Sequence, residues 1–427
     1  MRKNKFKIAL LFLSLILSGC NKNKQEETGG WKSLTIDTKI KGYRSTNKTG
    51  QVDCYPFDTS MVVRYYFEFS NENNDEIENN VINIYNQEIV RLHKIFDRHY
   101  YYFDDDKIIN NLKVLNDSYG SEEEIVVPIE LFNLLKFAIE NYEITNGMFN
   151  IFTASLTDYW EECFSAANNF EDLESFDPSF NDERKEKLEE IVDAIPNTKE
   201  EYESMLTFNE ENTSVKFNKL KDSIYPPLIS LGGIAKGYAT DLVKEKLVEA
   251  NYTNGVLYSG GSSLSSLSSP IHSNETVGQE IKVKNPNTFD DYAFSLKANK
   301  EYNFSTSGNY TTDKYYWFLE DFDNLNSNRI YRHHIINPKT GYPEPYYRSV
   351  SVITYDLSSA YVDMLTTALM NLDINSGLEI RSKLLQQNKG LEIVYLKQTG
   401  SDSLSVFATN NILDLKLNNG VQLINEQ

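Results

Sequence analysis

Three cysteines and five histidines in 427 residues leave little material for soft-metal or disulfide chemistry. Neither residue type shows the spacing of a zinc site. With Cys20 set aside as part of a leader, Cys54 and Cys163 either form one disulfide in an oxidising compartment or remain two buried thiols. Positive charge is also scarce, 42 Lys and Arg against 62 Asp and Glu, for a formal charge of −20 at pH 7. That excludes a general nucleic-acid binder, which needs a basic face to neutralise phosphates. It does not exclude an anionic ligand held by a local backbone cradle and a metal ion. No apolar run is long enough to span a bilayer, and no internal repeat is evident.

Apolar residues make up 40% of the chain and aromatics 13%, enough for a sizeable core in two domains or one large one. The N-terminus has the form of a targeting segment. Arg2, Lys3, Lys5 and Lys7 precede the short apolar run "IALLFLSLIL" (8–17). "LSGC" (17–20) resembles the lipobox of bacterial lipoproteins, which implies cleavage after residue 19 and lipidation of Cys20. Several acyl chains there would hold the protein at the extracytoplasmic face of the cell membrane. Residues 20–53 are expected to form the lipidated cysteine and a polar tether, and 54–427 the folded domain.

"TSMVVRYYFEF" (59–69) has the β-branched and aromatic content of a strand. Ile84, Ile89, Leu92 and Phe96 lie at helical spacing, with His93 and His99 on or beside that helix and assigned no role. Pro128 is placed in the first turn of a helix that "TNG" (145–147) closes. The acidic stretch 161–222 is a solvated, helix-rich face. "SVKFNKL" is a strand, and "SSLSSLSS" (262–269) is expected to be a flexible loop.

Three stretches carry chemistry. "ISLGGIAKGYATD" (229–241) places two glycines before an apolar turn, a lysine and a third glycine at the start of a helix over 235–249. Its spacing fits neither the dinucleotide fingerprint nor the P-loop. Glycines still let backbone approach a ligand, and a helix start offers free N–H groups to an anion. Lys236 in the first turn opposes the helix dipole, as it would where an anion fills the site. "SAYVDMLTTALMNL" (359–372), read as a helix, stacks Asp363 and Thr367 one turn apart, a pair suited either to Mg²⁺ or to helix capping. "YRHHIINPKTGYPEP" (331–345) sets His333 and His334 before a turn; extended backbone sends them to opposite sides. An imidazole is the natural group to take a proton near neutral pH, and a satisfied structural histidine is the equal alternative. "FSTSGNY" (304–310) adds loop hydroxyls for a polar ligand.

"TNGMFNIFTASL", "LGGIAKGYATD", "SGG", "STSGNY", "HHIINPKTGYP" and "VDMLTTAL" occur in an order and spacing that resemble the ApbE family, over roughly residues 57 to 420. The resemblance implies an α+β fold of the ApbE type, T-fold-like, with mixed sheets and packed helices. It implies a Mg²⁺-dependent FAD:protein FMN transferase, often an exported lipoprotein. Such an enzyme moves FMN from FAD to a Thr or Ser hydroxyl of an acceptor protein and releases AMP. Carried over, Asp363, Thr367 and the carbonyl of Ala235 would hold the metal. Gly232, Gly233, Ala235, Lys236, Gly237, Gly260, Gly261, Ser307, His334 and Thr340 would line the FAD pocket. His334 is the candidate proton acceptor or orienting group, with His333 in reserve. An FAD pyrophosphatase and a non-catalytic flavin-binding lipoprotein are the alternatives.

This chain departs from the family where Asn150, Ser230, Ser262, Asn309 and Asn337 stand at positions that commonly carry Asp. Each swap keeps hydrogen bonding and removes a formal charge. The pair Asp363/Thr367 is untouched.

Overall fold

The β-branched and aromatic run at 61–68 is a strand deep in the molecule, in a sheet whose spatial order follows the chain. The computed structural model describes residues 29–166, 176–269, 279–288, 291–310, 317–319, 330–400 and 403–424. The sheet's nine strands are β1 (Gly29–Ile36), β2 (Met61–Glu68), β3 (Gly255–Ser259), β4 (Ser263–Ser266), β5 (Asn303–Gly308), β6 (Ser349–Thr354), β7 (Leu391–Gln398), β8 (Leu404–Ala408) and β9 (Val421–Leu423). Neighbours are antiparallel except β8 and β9, which run parallel.

Helices are inserted between the strands. Among the described residues they are α1 (Asn74–Phe96), α2 (Leu112–Asp117), α3 (Ile129–Glu140), α4 (Ala154–Ala166), α5 (Asp182–Ala194), α6 (Lys199–Ser204), α7 (Ala235–Glu249), α8 (Ser359–Leu369) and α9 (Ile374–Gln386). α1 buries Val81, Tyr85, Ile89, Leu92 and Phe96, the three-to-four spacing of a single apolar stripe. That stripe joins residues of α3, α7 and α8 in the main core, against one face of the sheet. The other face packs a three-stranded sheet (279–284, 292–298 and 416–417) around Phe294, Ile353 and Leu396. α4 and α5 enclose a smaller core around Trp160. The architecture is mixed α+β, as the resemblance implies.

Several expectations need correction. The tether over 20–53 gives way to strand at Gly29, and β1 pairs along its whole length with β2. Its middle residues, Trp31, Lys32 and Ser33, are solvent-exposed, so only Leu34 and Ile36 betray a strand with one buried face. "SSLSSLSS" is no flexible loop; β4 lies within it and is buried throughout. Serine is small and carries a hydroxyl, so this strand packs under the helices while its side chains bond to Asp363, Asn303 and Tyr302. Pro128 is the residue before α3 rather than in its first turn. "TNG" does not close that helix; Asn146 and Gly147 take left-handed φ of 53° and 73° after a separate short turn. Cys54 and Cys163 are both free and buried. The leader and Cys20 lie outside the described residues. Among the described residues, no helix is long and apolar enough to cross a membrane.

Candidate active site

The helix expected at 235–249 is α7, and the glycine entrance lies directly before it. Gly232 and Gly233 have no left-handed φ, so their role is space rather than turn geometry. A side chain at Gly233 would meet Thr367 Oγ1 at 3.1 Å. One at Gly237 would strike the Ser359 carbonyl oxygen at 2.4 Å, because α7 crosses the start of α8 in contact. The absent side chains let the first turn of α7 lie against the helix that carries Asp363 and Thr367.

Asp363 is buried, and its carboxylate accepts from the Gly237 N–H (2.8 Å) and from the Ser263 hydroxyl (2.6 Å). Burial pushes its pKa up, and Lys236 beside it works against that shift. Thr367 is half-buried and donates back to the Asp363 carbonyl at 3.1 Å, which leaves its oxygen lone pairs open. Thr366 links this helix to β5, accepting from Ser307 Oγ at 2.9 Å. Asp241 on α7 answers in the other direction. It accepts the N–H groups of Ser359 (2.8 Å) and Ala360 (2.9 Å), and burial raises its pKa to about 6. The donor set around Asp363 and Thr367 is all oxygen, which suits a hard cation. A cation there would offset the desolvation of the buried carboxylate.

His333 and His334 do face opposite ways. His333 is fully buried, its Nε2 donating to the Glu344 carbonyl (3.1 Å) and its Nδ1 accepting from the Ile335 N–H (3.2 Å). Burial pushes its pKa down to about 3. His334 is exposed. Asn371, just past α8, donates to the Ile336 carbonyl at 3.3 Å and so ties this turn to the Asp363 helix. Thr340 bonds within its own turn, accepting from the Tyr342 N–H at 3.3 Å. Gly260 and Gly261 form the β3–β4 turn with φ of 69° and 68°, which favours glycine.

The structure therefore brings Gly233, Lys236, Gly237, Asp363 and Thr367 together, with Ser307 joined through Thr366. Ser263 and Asp241 escaped sequence reasoning, because their partners lie 100 or more residues away. Two departures from the family have local reasons. Asn337 donates to the Glu344 carboxylate at 2.7 Å, and Asn150 donates to the Pro196 carbonyl at 2.9 Å. An ionised Asp could do neither.

A cavity of about 150 Å³ opens beside the entrance, lined by Ser230, Gly232, Ala235 and Lys236 on one side and by Phe57, His93 and Phe96 on the other.

The ApbE family profile matches residues 57–394, and the chain belongs to the ApbE family. No curated protein matches the chain. Solved structures share its fold at low identity. The ApbE protein of Thermotoga maritima is 20% identical with a TM-score of 0.55, over 84% of this chain and 94% of that one. The flavin transferase ApbE of Vibrio cholerae is 17% identical with a TM-score of 0.56, over 90% and 98%. The flavinyl transferase ApbE of Pseudomonas stutzeri, in its apo form, is 16% identical with a TM-score of 0.52, over 90% and 95%.

Proposed function

We propose that this ApbE-family chain is a Mg²⁺-dependent FAD:protein FMN transferase, anchored by lipid on Cys20 at the extracytoplasmic face of the membrane. The observation that carries the reading is Asp363, a buried carboxylate held under the first turn of α7 with the Thr367 oxygen and Lys236 beside it. Asp363, Thr367 and the Ala235 carbonyl would hold Mg²⁺, which when bound neutralises pyrophosphate charge and stabilises the charge that develops in phosphoryl transfer.

The protein's own groups do the rest. Lys236, in the first turn of α7, supplies the positive charge that orients the FAD phosphates. The glycines keep side chains out of their path. A Thr or Ser hydroxyl of an exported acceptor attacks the FMN phosphorus, its proton passes to His334, and the bond to the AMP phosphate oxygen breaks. AMP leaves with the bridging oxygen, and FMN stays on the acceptor as a phosphoester. His334 is exposed, as a group that must meet a protein acceptor has to be.

Purified protein with FAD and Mg²⁺, incubated with and without the exported proteins of its own cells, tests this. Flavin fluorescence that survives denaturing electrophoresis, with AMP released only when acceptor is present, is the expected result. AMP and FMN released into water alone would make it a pyrophosphatase, and no product at all a binder.

A further inference from the structure

Phe57 and Asp58 both take a left-handed φ of 51°, a conformation costly for non-glycine residues and rarest for a bulky one. Such backbone persists only where its surroundings dictate it. Here the Phe57 N–H donates to Nδ1 of His93 at 3.1 Å, and the two rings meet edge to face at 5.7 Å. Because Nδ1 accepts, the neutral imidazole carries its proton on Nε2, which donates to the Tyr102 hydroxyl oxygen at 3.0 Å. Tyr102 in turn donates to Asp97 at 2.5 Å, and Asp97 accepts the His99 N–H at 2.6 Å. The centre of this chain of bonds is buried: His93 is 5% exposed and Tyr102 not at all. Phe57 and His93 also wall the cavity whose opposite side is the Ser230–Lys236 entrance.

Cys54 lies close enough to complete another grouping, since a ligand atom each from Cys54, His93 and Asp97 falls within 4.8 Å of the others. A metal needs an open imidazole nitrogen. Phe57 occupies Nδ1 and Tyr102 occupies Nε2, so the cluster is a hydrogen-bond relay.

We propose that His93 is a positioning residue for FAD: it holds the Phe57 turn as one wall of the cavity, in the tautomer that Tyr102 and Asp97 select. The inference rests on the flavin-transfer reading and adds a residue set that acts on binding rather than on phosphoryl transfer. The charged and titratable groups facing His93 are Asp97, Asp58, Lys94, His99, Tyr102 and Cys54. Burial dominates and keeps the imidazole neutral, its pKa below the ordinary value. In acid, a proton on Nδ1 would turn the acceptor into a donor facing another donor, and the turn would be released.

The test is the Kd for FAD on the full chain, read by flavin fluorescence, alongside FMN transfer. His93→Leu leaves a buried N–H without an acceptor and should weaken FAD binding roughly 5- to 100-fold, with kcat at saturating FAD little changed. His93→Asn, whose side-chain oxygen can take the place of Nδ1, should restore most of the binding. It should also abolish the acid weakening expected of the wild type, which sets in below the ordinary imidazole range because burial lowers the His93 pKa. If His93→Leu does not fold, Tyr102→Phe, which frees the tautomer, should show the same change in smaller measure. A Kd equal to wild type in His93→Leu, or in Tyr102→Phe where that is the variant that folds, overturns the proposal and leaves the transferase reading standing. The expected Kd pattern without FMN transfer does the reverse. A wild type that binds no FAD overturns both. A Kd that depends on added Zn²⁺, and loses that dependence in Cys54→Ser, would also overturn it by making the cluster a metal site.

Discussion

Asp363 serves two masters, since the carboxylate proposed to hold Mg²⁺ also caps the first turn of α7. Asp363→Ala should therefore abolish Mg²⁺-dependent AMP release. It should also lower the melting temperature, because the Gly237 N–H and the Ser263 hydroxyl lose their acceptor. Full activity in that variant at limiting Mg²⁺ would sink the metal assignment. The two adjacent histidines should separate cleanly. His334→Ala should slow FMN transfer at saturating FAD by about a hundred- to ten-thousand-fold, the usual worth of general-base help. His333→Ala should keep turnover and lose stability, about 1–3 kcal/mol for the N–H of Ile335 left without its acceptor. Single-turnover rates and melting curves on both variants decide; reversed results would reverse the roles. His333 also sets a pH trend. Its folded pKa, about 3, lies below its unfolded value of 6.5, so the native state resists protonation. The stability it contributes is present above pH 6.5 and is lost as pH falls toward 3. A His333→Gln variant should lack that part of the slope in denaturant titrations across the same range.

At the scale of elements, α7 and α8 hold each other by exchanged caps: Asp363 of α8 on the start of α7, and Asp241 of α7 on the start of α8. Gly237 permits the exchange by letting the helices touch. Gly237→Ala would place a methyl 2.4 Å from the Ser359 oxygen, which is backbone and cannot swing aside. Overpacking of this kind costs about 1–3 kcal/mol, and the forced separation should weaken Mg²⁺ binding as well. A variant with wild-type melting and Mg²⁺ affinity would show that the helices are not docked this closely. Asp241 gives the pair a pH dependence opposite in sign to that of His333. Its folded pKa, about 6, lies above its ordinary value of 3.8. The stability it contributes is therefore fully present below 3.8 and is lost as pH rises through about 6. Asp241→Asn keeps one acceptor for the α8 N–H groups and does not ionise. Relative to wild type, it should gain stability as pH rises from 4 to 7, measured by urea unfolding. A constant difference across that range would mean Asp241 is not desolvated as its burial implies.

At the scale of the whole molecule, what was legible in the sequence was local. The apolar spacing of α7, the one-turn offset of Asp363 and Thr367, and the alternation at His333 and His334 are set by neighbours within a few residues. Ser263 and Asp241 meet partners 100 or more residues away, and His93 meets Phe57 across 36 residues, contacts that only the folded chain makes. β4 is hidden in the sequence because serine at buried positions looks like solvent-facing composition. β1 looks like a tether in sequence because it is an edge strand whose outer face exposes Trp31, Ser33 and Thr35 and whose inner face buries only Leu34 and Ile36 after the glycines. β1 decides where the protein can be cut. Leu34 and Ile36 of β1 lie opposite Val63 and Met61 of β2, and Ile40 packs a separate small core with Cys54 and Tyr102. Burial of one such side chain is worth about 1.5–3 kcal/mol. Three of them amount to a large part of the roughly 5–15 kcal/mol that keeps a domain folded. Their loss would also uncover the long, apolar β2 as a sheet edge, an invitation to aggregation. A chain beginning at Gly29 should therefore melt like the chain from Cys20 and turn over FAD in solution. One beginning at Cys54 should aggregate or melt far lower, as followed by circular dichroism and size-exclusion chromatography. If the shorter chain unfolds cooperatively at the same temperature, β1 is an ornament on the sheet and the domain starts where the polar composition ends.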